Sequence, residues 1–124
     1  MRTALLLMSL LLAQPKGEVE WSAYLAPGLD GRTEVRLFDD ARVDILNSEY
    51  AIEVEWAKKW PEAIGQCQYY SIVTGKKPAV LLLIKDKKSE LRYIHRCLVV
   101  CTKLDIKLLM YDTQKERYLN AGQE

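Results

Sequence analysis

Three acids stand where a small sheet would ordinarily alternate plain apolar and polar residues. They are Asp44 in "RVDILN", and Glu53 and Glu55 in "AIEVEW". Side chains alternate across a strand, so Glu53 and Glu55 share one face while Ile52, Val54 and Trp56 take the other. In the preceding segment Arg42 and Asp44 share a face, opposite Val43 and Ile45. An even hairpin loop tipped by Ser48 and Glu49 sets Asp44 directly opposite Glu53, and Arg42 opposite Glu55. An odd loop would put Asp44 beside apolar residues and turn one whole face the wrong way. Like charges facing each other across strands are destabilising. A hard divalent cation offsets that repulsion, because Mg²⁺ is held by one or two carboxylates together with water and phosphate oxygens. Glu55, a backbone carbonyl and Glu34 of the neighbouring strand are candidates to complete such a shell. The competing account is a solvated polar face on which Arg42 neutralises the acids.

The elements that must position these acids follow from the rest of the chain. Its 124 residues suffice for one domain with a single core. Lys and Arg number 18 against 17 Asp and Glu. That balance gives no global attraction to nucleic acid, so any such binding must come from a local patch. The three cysteines do not suggest a disulfide framework. Cys97 and Cys101 read as small core residues of a helix. With His95 the lone histidine, on a helix surface, no zinc site is expected.

Residues 1–13, "MRTALLLMSLLLA", carry an early cation, Arg2, and an apolar run from Ala4 to Ala13, followed by Gln14 and Pro15. This is the layout of a secretory signal peptide. The run is shorter than the ~20 apolar residues a membrane span needs, so no stable span is expected. Cleavage implies a periplasmic or secreted protein. Retention as an apolar first helix implies a cytoplasmic one. Residues 14–124 then form a single domain.

"EVEWSAYLA" reads as a short helix and "PGLDGR" as a turn. "TEVRLF", "RVDILN" and "YAIEVEW" alternate and form an antiparallel meander. Pro61 opens a helix that ends near Gly75. "AVLLLI", Ala79 to Ile84, is apolar throughout, as a strand buried on both faces should be. "SELRYIHRCLVVCTKL" is a helix with Leu91, Ile94, Leu98 and Cys101 on its inner face. "IKLLMY" is a last strand, parallel to the one before. The tail from Gln114 on is polar and expected to fray. Trp56 and Trp60 read as core or edge aromatics. The basic loops "GKKP" and "KDKK" read as solvated turns. The class is α/β (α+β), a mixed sheet in the order βββαβαβ flanked by helices.

"RVD", "AIEVEWAKKW" and "EAIGQCQYY" together resemble the PD-(D/E)XK nuclease superfamily, over roughly residues 32 to 84. The resemblance implies a restriction-endonuclease-like fold. It also implies a divalent-metal-dependent nuclease that hydrolyses phosphodiester bonds, with Mg²⁺ or Mn²⁺ as cofactor. Asp44 matches the acid of the second core strand and Glu53 that of the third. Glu55 stands where the family's strand lysine usually does. Some members carry Glu there, and others move the lysine toward the next helix, for which Lys58 is the candidate and Lys59 the second. Gln66 and Tyr70 match a Gln-x-x-x-Tyr found on that helix in several branches. On this resemblance Asp44, Glu53 and Glu55 hold metal and Lys58 stabilises phosphate charge. Arg42, Gln66 and Tyr70 contact substrate or position the acids. The expected partner is nucleic acid, DNA ahead of RNA, with a homodimer or second protein supplying recognition. The alternative is a catalytically inactive binding or scaffold module that keeps the fold.

Overall fold

The computed structural model describes residues 15–120. The proposed leader therefore lies outside the described residues. Helix α1 spans Glu18–Leu25, strand β1 Arg32–Arg36, β2 Arg42–Leu46 and β3 Tyr50–Trp56. Helix α2 follows at Trp60–Thr74, then β4 at Lys77–Ile84, α3 at Leu91–Leu104, β5 at Lys107–Asp112 and β6 at Arg117–Leu119. Short 3-10 turns at Ala26–Leu29 and Ala57–Lys59 link α1 to β1 and β3 to α2. The six strands form one mixed sheet in chain order. β1, β2 and β3 pair antiparallel, β3, β4 and β5 parallel, and β5 and β6 antiparallel. The two parallel steps run through α2 and α3, since a parallel connection needs a crossover. No described helix is long and apolar enough to cross a membrane.

Strand β4 is the spine. Every residue from Ala79 to Ile84 is fully buried. Val80, Leu82 and Ile84 pack with Ala63, Ile64 and Cys67 of α2 and Ile94, Cys97 and Cys101 of α3. Ala79, Leu81 and Leu83 pack in the cluster of Trp21 and Leu25 from α1. The continuous apolar run is thus the signature of a strand covered on both sides. Pro61 sits in the first turn of α2, where its missing N–H costs nothing. Gly75, at φ 73°, ends the helix in the left-handed conformation and donates its N–H to Ser71 O.

Two local expectations change. The inner face of α3 is Ile94, Cys97 and Cys101, whereas Leu91 is 55% exposed. Cys97 and Cys101 are the small core residues expected, buried with their Sγ atoms 3.8 Å apart. The tail expected to fray instead turns back as β6. Asp112 Oδ1 accepts the backbone N–H of Gln114 at 2.9 Å and of Lys115 at 3.0 Å. Tyr118 then meets Tyr111 edge-on.

Gly31, just before β1, lies against buried Ile45. A Cβ there would stand 2.4 Å from Ile45 Cγ2. Gly31→Ala is therefore expected to cost ~1–3 kcal/mol, the scale of overpacking a filled core. Urea unfolding checks it, and an unchanged midpoint would show that Ile45 can move aside freely.

A buried carboxylate cluster as the candidate functional site

The site is built where β2 and β3 part. Ile45 faces Ile52 and Leu46 faces Ala51, the even-loop register. Asn47 closes that loop, its Oδ1 accepting the N–H of Glu49 at 2.9 Å and of Tyr50 at 2.6 Å. Beyond Ile45 a side chain enters the ladder: Val54 N–H donates to Asp44 Oδ2 at 2.8 Å. Val43 packs with Ala51 and Tyr70, while Ile45 packs with Ile52 and Trp21. Val43 and Ile45 thus pack in different clusters, and the half-buried Asp44 between them reaches β3 with its carboxylate.

Glu53 and Glu55 are buried, at 5% and 7% exposure. This overturns a solvated polar face. Arg42, expected opposite Glu55, is instead aligned with Arg36 of β1 and lies 4.0 Å from Glu34 Oε2 at the surface. It does not neutralise the buried pair. Glu34, at φ 52°, faces that arginine, although its charge still reaches Asp44.

Burial pushes the Asp44 carboxyl upward from its ordinary range, and the hydrogen bond from Val54 N–H opposes the rise. Burial does the same to Glu53, reinforced by the charge of Asp44 and by a hydrogen bond between the two carboxyls. The two carboxyls therefore titrate as a pair that retains a proton above the ordinary carboxylate range. Glu55 is pushed up to about 7, first by burial. The N–H of Trp56 and the charge of Lys59 oppose that shift, and a hydrogen bond and charge from Glu18 add to it.

Glu18 was missed in the sequence. It stands in the first turn of α1, and Trp21, 2% exposed and 5.5 Å from the Tyr111 ring, anchors that helix on the sheet. The only signal for it was an acid at the start of an aromatic-bearing helix, which carries no information about where the helix docks.

Gln66 and Tyr70 do meet the acids. The amide orientation that satisfies its neighbours lets Gln66 Nε2 donate to Glu53 Oε1 at 2.9 Å and to Tyr70 Oη at 3.2 Å. Tyr70 is buried, and burial with the charges of Glu53 and Asp44 raises its hydroxyl. Lys58 is exposed in the 3-10 turn, and Lys59 is the lysine whose charge acts on Glu55. Both lysines are exposed in that turn, open to a phosphate.

Among the described residues no three His, Cys, Asp or Glu side chains form a ready-made metal cage. The carboxyls are turned toward one another, Asp44 to Glu53 and Glu55 to Glu18. Chemically, these four are an all-oxygen donor set, the kind that Mg²⁺, Mn²⁺ and Ca²⁺ take. Binding would require the shared protons to leave, because a carboxylate ligates only when ionised.

No family model matches the chain, and no solved structure matches it. Two KilA-N domain-containing proteins of Acanthamoeba polyphaga mimivirus are similar in sequence. One is 34% identical over 108 residues, covering 84% of this chain and 42% of that protein. The other is 31% identical over 70 residues, covering 56% of this chain and 19% of that protein. The chain thus spans less than half the length of these viral relatives, to which it is similar.

Proposed function

We propose that the protein is a divalent-metal-dependent phosphodiesterase of restriction-endonuclease-like fold that acts on nucleic acid, DNA ahead of RNA. The observation that carries this is the buried Asp44–Glu53 pair, held by Val54 N–H on one side and Gln66 on the other. Burying two acids side by side costs stability that a fold has no structural reason to accept. An acid on the second strand and two on the third, backed by a Gln-x-x-x-Tyr helix, supports the same class. The relatives are named for a KilA-N domain, and the chain matches under half of each.

Asp44, Glu53 and Glu55 would hold the ion, with Glu18 as a further oxygen donor. A bound Mg²⁺ or Mn²⁺ would polarise the scissile phosphate and lower the pKa of a water. The chain's own work is positional. Asp44 is fixed by a backbone N–H. Glu53 is aimed by Gln66, which Tyr70 braces. Calorimetric titration with Mn²⁺ tests the reading: wild type should bind and release protons, and Asp44→Ala should not bind. Equal binding by both would remove its foundation.

Lys59 is the cation placed to act at Glu55. Lys59→Ala is expected to lower Mn²⁺-dependent cleavage of DNA ~10²-fold, the scale of one lost electrostatic stabiliser. Lys58→Ala is the comparison, and the larger loss there would return the role to Lys58.

A second reading, an inactive binding module on the same fold, is favoured by one feature: Glu55 occupies the strand position where the resemblance places a lysine. Metal binding without turnover in the Mn²⁺ assay would select it.

A further inference from the structure

We propose that the open groove between α3 and the β5–β6 turn seats a single-stranded nucleic-acid segment, bases on its apolar floor and phosphates on its lysine rim. This rests on the nucleic-acid part of the reading above. The groove encloses about 810 Å³. Its floor includes Leu91, Leu98, Met110 and Leu119. Its charged lining is four lysines, Lys85, Lys87, Lys88 and Lys115, against Asp86 and Asp112. In a chain of net charge +1 this is a local excess of positive charge.

The rim is held in place by its own hydrogen bonds. Glu90 Oε1 accepts the N–H of Lys85 at 2.7 Å and of Asp86 at 2.8 Å, fixing the turn before α3. Asp112 Oδ1 accepts the N–H of Gln114 and Lys115, fixing the turn opposite. That leaves Asp112 buried and engaged with backbone rather than facing an incoming phosphate. Thr113 ties the two turns together, its N–H and Oγ1 each 2.9 Å from Ile84 O. Both lysine-bearing walls are therefore set before any ligand arrives, which lowers the ordering cost of binding.

Lys85 is also held in place, its Nζ 4.8 Å over the Trp56 ring. The apolar floor selects the form of a bound polyanion. In a duplex the base faces are stacked inside, so a surface such as Leu91 gains nothing from them. A single strand offers its base faces outward, and the aliphatic floor can cover them by apolar contact alone, without the aromatic stacking usual in such grooves.

Fluorescence anisotropy with a labelled oligothymidylate in EDTA tests this on the full chain. Wild type should bind it more tightly than a duplex of equal length. Lys88→Glu with Lys115→Glu should weaken binding at least ~10-fold and flatten the salt slope by ~1.4, for two phosphate contacts at ~0.7 each. Both lysines are exposed, so folding should persist, which a thermal melt verifies. Leu91→Asn should weaken binding ~5-fold with the slope unchanged, because it removes apolar contact and no charge. Unchanged affinity in the double lysine variant overturns the proposal. So does tighter binding of the duplex, or displacement of the oligonucleotide by polyglutamate as readily as by unlabelled strand. Mn²⁺-dependent hydrolysis of bis(p-nitrophenyl) phosphate, which needs the acids and not the groove, reports on the hydrolase separately. Its absence beside lysine-dependent oligonucleotide binding would overturn that activity and leave the groove assigned.

Discussion

Glu53→Gln is expected to lower Mn²⁺-dependent cleavage of DNA ~10³-fold or more and to abolish metal binding measured by calorimetry. Glutamine keeps the length and shape of Glu53 and can still meet Gln66, so the fold should survive. What it loses is the capacity to ionise. Stabilising charge at a phosphoryl oxygen is worth several kcal/mol, and each ~1.4 kcal/mol is tenfold in rate. The variant also separates the readings. In a catalytic site it is dead although folded. If the acids are structural only, it should be as stable as wild type or more so, with no activity in either protein. Full activity in Glu53→Gln would remove the carboxylate cluster from the mechanism.

Without divalent metal, stability is expected to fall as pH rises from about 5 to about 8. The sign follows from the direction of the shifts. Glu53, and Glu55 at about 7, are held above the ordinary glutamate value of 4.5 in the folded chain. In that window the unfolded chain has already released protons that the folded chain retains, so raising pH favours unfolding. The loss begins above pH 4.5 and continues through the folded values. A fall in Tm of about 5 °C or more across the window is expected. Saturating Mg²⁺ should shrink or reverse the fall, because the ion binds the deprotonated folded state. Asp44→Asn should flatten the metal-free slope: an amide oxygen still accepts from Val54 N–H, and the repulsion with Glu53 is gone. A melting temperature independent of pH in EDTA would mean that the acids are ionised in the folded chain and do not share protons.

Some of this was legible from residue order alone. The alternation in "RVDILN" and "YAIEVEW" set the hairpin register, because only an even loop keeps the apolar residues of both strands together. The unbroken "AVLLLI" declared a strand covered on both sides. Pro61 and Gly75 marked the ends of α2, because one lacks an N–H and the other tolerates positive φ. The spacing of Gln66 and Tyr70 put both on one helical face, and that face does meet Glu53.

Other features depended on how elements come together in space. Local pattern gives the period of a side chain but not the twist between strands. Only the assembled sheet shows that Asp44 accepts from Val54 N–H and that Arg42 lies beside Glu34. Glu18 joins the cluster because Trp21 fixes α1 against β3 and β5, a contact between residues some 90 positions apart along the chain. Lys58 and Lys59 are carried by a 3-10 turn rather than a strand, and the charge of Lys59 acts on Glu55. The lysine groove joins two turns far apart in sequence, bridged by Thr113 and Ile84. Sequence by itself determined which residues could be acids, strands and helices here, because those follow from side-chain chemistry and a repeat of two or 3.6. The tertiary structure alone decided which of the acids are buried together, because burial is a property of the packed sheet and not of any one segment.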